Sequence, residues 1–179
     1  METLMSQSPA NPTLGSCPLK RDKLVSSFCA IIPSTLPALE EVLEKALAAV
    51  KTMPCAPGEI DGVELALREA LANAILHGNE GRPNKKVIIA CFCECEGPGN
   101  LLLVVRDEGL GFDPAKVPDP TTAEAIYSGH GRGIFLMRQL MDDVRHQAGG
   151  CEVELRKRGE APCTPARSAS PERDSGQKA

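Results

Sequence analysis

A glycine-rich segment late in the chain has the residue types of an anion-binding site. Gly129, Gly131 and Gly133 alternate with His130 and Arg132, and the segment runs directly into a predicted helix. Glycines leave backbone N–H groups accessible, and a helix N-terminus carries partial positive charge, so a phosphate would be stabilised there. Arg132 could add a charge-assisted contact. The segment matches neither the P-loop nor the dinucleotide-binding pattern, and a flexible hinge is the alternative interpretation.

A second group of residues follows an apolar run. Asp107 ends the run, and Gly109 and Gly111 come directly after it. A carboxylate at a strand end can accept a hydrogen bond from a donor such as an exocyclic amine, and the glycines let a ligand approach the backbone. Asp and Gly are also common in simple turns. The long segment that follows, Glu108–Gly129, weakens that alternative because loops of this length are often functional lids.

Three polar residues, Glu69, Asn73 and His77, recur at intervals of four. On a helix this spacing places them along one face. The spacing alone is also typical of the solvated face of any amphipathic helix, so it leaves a structural and a functional interpretation open.

The elements that must position these residues follow from hydrophobic periodicity. Helices and strands occur in irregular order, with hairpins instead of regular βαβ units, which predicts a two-layer α/β sandwich. The predicted strands are Lys23–Ile32, Lys86–Glu96, Leu101–Asp107, Val144–Ala148 and Cys151–Lys157. The predicted helices begin after a cap at Ser34 or Thr35, at about Glu59 and at about Gly133, and the last two end near His77 and Asp142.

The first two helices have clear apolar stripes. In the first, the stripe is formed by Leu36, Leu39, Leu43, Leu47 and Val50. In the second, it is formed by Val63, Leu67, Ala70, Leu71 and Ala74, and Gly78-Asn79 is expected to end the helix in a left-handed turn.

The composition is that of an ordinary globular domain. Of the 179 residues, 42% are hydrophobic and 25% charged, and the formal net charge of −4 argues against a direct nucleic-acid partner. No apolar stretch approaches the roughly 18 residues of a membrane helix, and the N-terminus does not resemble a secretory signal, so we expect a cytoplasmic chain without a membrane partner. The Ser- and Pro-rich ends predict disordered tails at 1–20 and 159–179 around a single domain at 21–158.

Eight cysteines occur without a C-x-x-C pair. In a reducing compartment we expect thiols in place of disulfides. Cys91, Cys93 and Cys95 alternate within one apolar run, so they are predicted to share a strand face as small core residues. A metal or redox site built on these three is the alternative, although ligands on one flat face are badly placed to complete a tetrahedron.

Taken together, the motifs resemble those of a known superfamily. Glu-Ala-Leu-Ala-Asn (69–73), Asp-Glu-Gly-Leu-Gly-Phe (107–112) and Gly-His-Gly-Arg-Gly-Ile (129–134) resemble the N, G1 and G2 boxes of the GHKL ATPases. Within that superfamily, ALREALANAILHGN and GRGIFLMRQLMDDV are most similar to the bacterial anti-sigma factor serine/threonine-protein kinases. The resemblance covers about residues 23–157 and implies the Bergerat fold, with a mixed, mainly antiparallel sheet and helices on one face.

The resemblance also implies roles for these positions. Asn73 would coordinate Mg²⁺ through its amide oxygen, Glu69 would be the catalytic base, and Asp107 would accept a hydrogen bond from the adenine of ATP. Residues 113–128 would form the lid. The other implied nucleotide-binding positions are Gly109, Gly111, Phe112, Gly129, His130, Gly131, Arg132, Gly133 and Ile134.

The implied partners are a sigma factor, which the protein would sequester, and an anti-sigma factor antagonist, which it would phosphorylate on serine; members of the family are usually homodimers. Two other functions stay open: a regulatory module that binds ATP without phosphoryl transfer, and the catalytic domain of a histidine kinase. Glu69 disfavours the first, because a pure binder needs no carboxylate beside the metal. The roughly sixty residues before the N box are too few for the helical hairpin that the second requires.

Overall fold

The computed structural model describes residues 18–19, 24, 26–94, 99–113 and 132–159. Its elements, in chain order, are β1 (Ser26–Pro33), α1 (Leu36–Lys51), α2 (Asp61–Asn73), a π-helical turn (Ala74–Gly78), β2 (Lys86–Glu94), β3 (Asn100–Arg106), α3 (Arg132–Leu140), β4 (Asp143–Gln147), a 3₁₀ turn (Ala148–Gly150) and β5 (Glu152–Arg158). None of the helices among these residues is both long and apolar enough to cross a membrane.

The five strands form one sheet in the order β1-β2-β3-β5-β4, and every strand pairing is antiparallel. Alternate residues of β2, such as Ile89 and Cys91, face a core built with α1 and α2. Their neighbours Ala90 and Phe92 face the other side of the sheet. The prediction of an α/β sandwich with a mainly antiparallel sheet is therefore confirmed.

The outer face of the sheet carries a second, smaller apolar cluster. Ala90, Phe92, Leu102 and Val104 are buried there together with Leu19, which is 3% exposed. Burial on both faces explains why β2 and β3 appear as continuous apolar runs in the sequence. Leu19, which lies within the predicted tail at 1–20, is part of this cluster. Apart from residues 18, 19 and 159, both predicted tails lie outside the described residues.

The first helix follows its predicted stripe with two differences. Leu39, Leu43, Leu47 and Val50 are buried, but Leu36 in the first turn is 52% exposed. Thr35 is the N-cap residue without a side-chain capping bond. The hydroxyl of Ser34 instead donates to the carbonyl of Ile75, 3.5 Å away, so this side chain ties the start of α1 to the end of the second helical segment.

The predicted second helix is an α-helix that ends in a π turn. The stripe from Val63 to Ala74 is buried as expected. The left-handed turn expected at Gly78-Asn79 is wrong in position, since the residues with positive φ are Glu80 (57°) and Gly81 (63°). The physical reason is the π turn, in which the N–H of Asn79 donates to the carbonyl of Ala74 over 2.8 Å, a bond that spans five residues and delays the helix end.

The expectation of unpaired thiols is also wrong in part. Cys55, in the loop after α1, forms a disulfide with Cys93 on β2, with the two Cα atoms 5.8 Å apart, and Cys29 is also disulfide-bonded. Cys91 is a free, buried core residue as predicted, and burial raises the pKa of its thiol to about 12. Cys95 lies outside the described residues. Among those residues, no three His, Cys, Asp or Glu side chains are grouped as a metal site.

Candidate functional site

The N-terminus of α3 contacts the polar face of α2. A methyl group placed on the Cα of Gly133 would lie 2.7 Å from Glu69 Oε2 and 3.1 Å from Asn73 Nδ2. A side chain at this position would require the Glu69 carboxylate to shift, so glycine lets α3 approach α2 while Glu69 stays in place. Glu69 and Asn73 are half-buried at this junction, whereas His77 lies in the π turn and is exposed. Of the three residues predicted to share a face, Glu69 and Asn73 lie beside Gly133.

The Asp107 loop lies at the other end of the same helical segment. Asp107 is half-buried, and its Oδ1 accepts the N–H of Gly109 over 2.7 Å. A methyl group on Gly78 would lie 2.7 Å from the same oxygen, and one on Gly109 would overlap the carbonyl oxygen of Gly78. Neither Gly78 nor Gly109 has a positive φ. Their smallness, not their conformation, is what lets the carboxylate lie against the end of the π turn.

Burial sets the electrostatics of this carboxylate. Desolvation raises the pKa of Asp107 above its ordinary value, while the hydrogen bond from Gly109 and the charges of Lys85 and Arg106 oppose the increase. A partly desolvated carboxylate gains more from a hydrogen-bond donor than a fully solvated one, because less water competes for it. Asp107 is thus suited to accept a hydrogen bond from a ligand.

The turn between β4 and β5 is joined to the Asp107 loop by three hydrogen bonds. The N–H of Asp107 donates to the carbonyl of Cys151 over 2.9 Å, and the N–H of Phe112 donates to that of Gly149 over 3.0 Å. The Cys151 thiol lies 3.4 Å from the carbonyl oxygen of Gly109, to which it donates. Gly111, with φ of 74°, allows this contact, since a methyl group there would overlap the carbonyl of Gly149.

Phe112 and His146 extend this support. Their rings meet edge to face with centroids 5.2 Å apart. Burial, and then the charge of Arg138, lowers the pKa of His146, which favours the neutral imidazole. Phe112 remains 40% exposed. It is therefore anchored on one side by the histidine and accessible on the other.

The described part of the chain brings the predicted residues together in two groups. The loop group contains Asp107, Gly109, Gly111 and Phe112, and the helix group contains Glu69, Asn73, Arg132, Gly133 and Ile134. Both groups contact α2 and its π turn, at Asn73 and Gly78 respectively. Ile134 packs against the main core. Gly129, His130, Gly131 and the predicted lid beyond Asp113 lie outside the described residues.

Two residues of this region escaped the sequence analysis. Asn79 is fully buried, and its Oδ1 accepts the N–H of Glu108 over 2.9 Å. Cys151 contributes the carbonyl and thiol contacts described above. A polar residue after a helix, such as Asn79, is usually an exposed cap, and a lone cysteine such as Cys151 is usually a core residue. Neither residue type therefore indicated a role in holding the Asp107 loop.

Comparison with known proteins gives a family match for this chain. The family model described as Histidine kinase-like ATPase domain matches residues 32–157. The anti-sigma F factor of Heyndrickxia coagulans is 34% identical over 106 residues, which cover 55% of this chain and 69% of that protein. The anti-sigma F factor of Bacillus cytotoxicus is 32% identical over 105 residues, with the same coverage of 55% and 69%. That of Geobacillus thermodenitrificans is 36% identical over 89 residues, covering 48% of this chain and 58% of the relative.

Proposed function

Because this chain belongs to the family of histidine kinase-like ATPase domains, we propose that it binds ATP and transfers the terminal phosphate to a serine of a protein partner. The observation that carries the proposal is the meeting of Glu69 and Asn73 with the N-terminus of α3 at Gly133. A carboxylate, an amide oxygen and a helix N-terminus are the groups that a phosphoryl-transfer site requires.

The adenine would lie at the Asp107 loop. The exocyclic amine of adenine donates hydrogen bonds, and the half-buried carboxylate of Asp107 can accept one. Oδ1 already accepts the N–H of Gly109, which orients the carboxylate and leaves Oδ2 as an acceptor for the base. Phe112, partly exposed and supported by His146, offers an apolar contact beside it.

The phosphates would lie at the start of α3. The first N–H groups of a helix have no intrahelical partner, and the helix dipole favours an anion there. Arg132 is the first residue of α3 and is exposed, so its guanidinium is placed to contact phosphate oxygens. The sequence adds Gly129, His130 and Gly131 directly before it.

The site also fits a magnesium ion. Asn73 offers an amide oxygen, a hard ligand of the kind that Mg²⁺ accepts alongside phosphate oxygens and water. When bound, Mg²⁺ would offset the negative charge of the phosphates. Asn73 would hold it one helical turn from Glu69, on the half-buried face that α3 approaches.

Glu69 would act as the general base. Its carboxylate would accept the proton of the serine hydroxyl as the hydroxyl oxygen bonds to the γ-phosphorus and the bond to ADP breaks. Glu69 lies beside the N-terminus of α3, where the γ-phosphate would be held. A module that only binds ATP has no need of a carboxylate at this position.

The identity of the partners rests on the relatives, which are named anti-sigma F factors. We propose that this chain likewise binds a sigma factor, that the phosphate acceptor is an antagonist protein, and that the chain acts as a homodimer. A phosphoserine adds nearly two negative charges and would repel an interface bearing carboxylates. Phosphorylation would thus release the antagonist and leave the kinase available to its sigma factor.

The test is a phosphorylation assay with γ-labelled ATP, Mg²⁺ and candidate antagonist proteins, followed by mapping of the labelled residue. We expect label on a serine of one candidate. Glu69→Gln should keep ATP binding but reduce transfer by about 10²-fold or more, the contribution of a general base. Glu44→Gln, at an exposed position on α1, is the matched control. ATP binding without transfer to any candidate would leave a regulatory ATP-binding module, and label on histidine would indicate a histidine kinase.

A further inference from the structure

Asn79 joins three segments of the chain from a position with no solvent exposure. Its side-chain oxygen accepts the N–H of Glu108 over 2.9 Å, and its side-chain NH₂ donates to the carbonyl of Lys86 over 2.9 Å. Its backbone N–H donates to Ala74 across the π turn. The amide therefore connects the end of the π turn to the start of β2 and to the loop after β3.

The position of Glu108 gives this connection its importance. Glu108 stands between Asp107 and Gly109, and its backbone N–H belongs to the peptide unit that directly follows Asp107. The bond from Asn79 therefore holds the backbone on the C-terminal side of the proposed adenine acceptor. The carboxylate of Glu108 in turn accepts the N–H of Lys86 over 2.8 Å. Lys86 is thus tied to the loop twice, once through Asn79 and once directly.

The close packing of Gly78 and Gly109 depends on the same contacts. A methyl group on Gly109 would overlap the carbonyl oxygen of Gly78, and one on Gly78 would overlap the carboxyl group of Asp107, so the Asp107 side chain lies directly against the π turn. A displacement at Glu108 would be passed directly to the Asp107 carboxylate, which contacts both glycines.

We propose that Asn79 is a positioning residue for nucleotide recognition, and that its amide sets the place and direction of the Asp107 carboxylate without touching the nucleotide. This inference rests on the proposed function, because it takes Asp107 as the acceptor for adenine. It extends the recognition site to a residue with no solvent exposure.

A merely structural role makes a different prediction. If Asn79 only stabilised the fold, its replacement would lower the melting temperature and leave the folded fraction with unchanged nucleotide selectivity. If Asn79 positions Asp107, the folded protein itself should lose its ability to distinguish purines that carry the exocyclic amine. The informative quantity is therefore a ratio of affinities, which does not depend on how much of the protein is folded.

The experiment compares ATP with purine riboside triphosphate, which lacks the exocyclic amine, on the full chain with Mg²⁺ at a temperature where circular dichroism shows a folded protein. The wild type should bind ATP about tenfold or more tightly, the effect expected for one hydrogen bond to a carboxylate. In Asn79→Ala that ratio should fall towards one, with ATP affinity reduced by about the same factor. Asn84→Ala, an exposed residue of the turn before β2, should keep the wild-type ratio.

If Asn79→Ala does not fold, Asn79→Ser replaces it, because the hydroxyl can make one of the two side-chain hydrogen bonds; its ratio should be intermediate. A wild-type ratio in either folded variant overturns the positioning role and leaves the proposed function intact. Loss of the fold in both variants also overturns it, by assigning Asn79 to stability. A ratio of one in the wild type refutes the adenine site at Asp107, and the positioning role with it.

Discussion

Gly78→Ala tests the geometry of the Asp107 loop most severely. The added methyl group would lie 2.5 Å from Asp107 Oδ2 and 2.7 Å from Oδ1. Contact distances between carbon and its neighbours are about 3.5 Å, so the carboxylate would have to move by roughly 1 Å. A shift of that size breaks the 2.7 Å hydrogen bond from Gly109. Gly78 does not have a positive φ, so the substitution acts through this overlap and not through backbone strain.

The expected loss of ATP affinity follows from the hydrogen bond to the Asp107 carboxylate that the nucleotide would lose. A hydrogen bond to a charged group contributes about 1.5–3 kcal/mol, so the dissociation constant for ATP should rise roughly 10- to 150-fold. Isothermal titration calorimetry measures this value, and circular dichroism confirms that the variant is folded at the same temperature.

Gly62→Ala is the matched control, because it lies in the first turn of α2. A methyl group there would be 3.6 Å from Leu140 Cδ2, an ordinary contact. Alanine favours a helix over glycine by about 1 kcal/mol, so this variant should be slightly more stable and bind ATP as the wild type does. If Gly78→Ala binds ATP within about twofold of Gly62→Ala, the carboxylate is not held where we infer, and the reasoning is refuted.

Three further predictions concern charge, the disulfide and the chain end. Because burial raises the pKa of Asp107 above its ordinary value, ATP affinity should fall on acidification at a higher pH than for an ordinary aspartate carboxyl group. The raised pKa itself contributes stability only at low pH, and this contribution is lost as pH rises through the folded value. An ATP affinity that calorimetry shows to be unchanged on acidification would contradict this. Reductant should lower the melting temperature of the wild type more than that of Cys55→Ser, since a disulfide contributes about 2–4 kcal/mol, and equal shifts would rule this out. A chain ending at Gly159, whose N–H bonds to Gly99 over 3.0 Å, should unfold as the full chain does; loss of the cooperative transition would show that later residues are needed.

The elements of this fold were predictable where local periodicity determines burial. The stripe from Val63 to Ala74 and the paired apolar runs of β2 and β3 satisfy the patterns of helix and hairpin, and both are present. The π turn was not predictable, because it depends on the carbonyl of Ala74 bonding to Asn79 instead of Gly78, a choice made by tertiary contacts. The Cys55–Cys93 disulfide likewise joins residues 38 apart through a loop whose path no local pattern specifies.

The candidate site was predictable to a similar degree. Residue types alone placed Asp107 and its glycines beside a ligand, because such residues leave backbone and carboxylate accessible. They did not indicate that Gly109 also contacts the backbone of Gly78, or that Cys151 supports the loop from the β4–β5 turn. Contacts of this kind form between segments distant in sequence, and each involves backbone atoms that every residue carries.

The most direct test of the central claim is calorimetric titration of the full chain with ATP and Mg²⁺, beside Asp107→Asn. Asparagine keeps an oxygen for the N–H of Gly109 and removes a partly buried charge, so the variant should melt at or above the wild-type temperature. We predict one ATP site per chain in the wild type and no measurable binding by the variant. Absence of ATP binding by the wild type, or wild-type affinity in Asp107→Asn, would contradict the account.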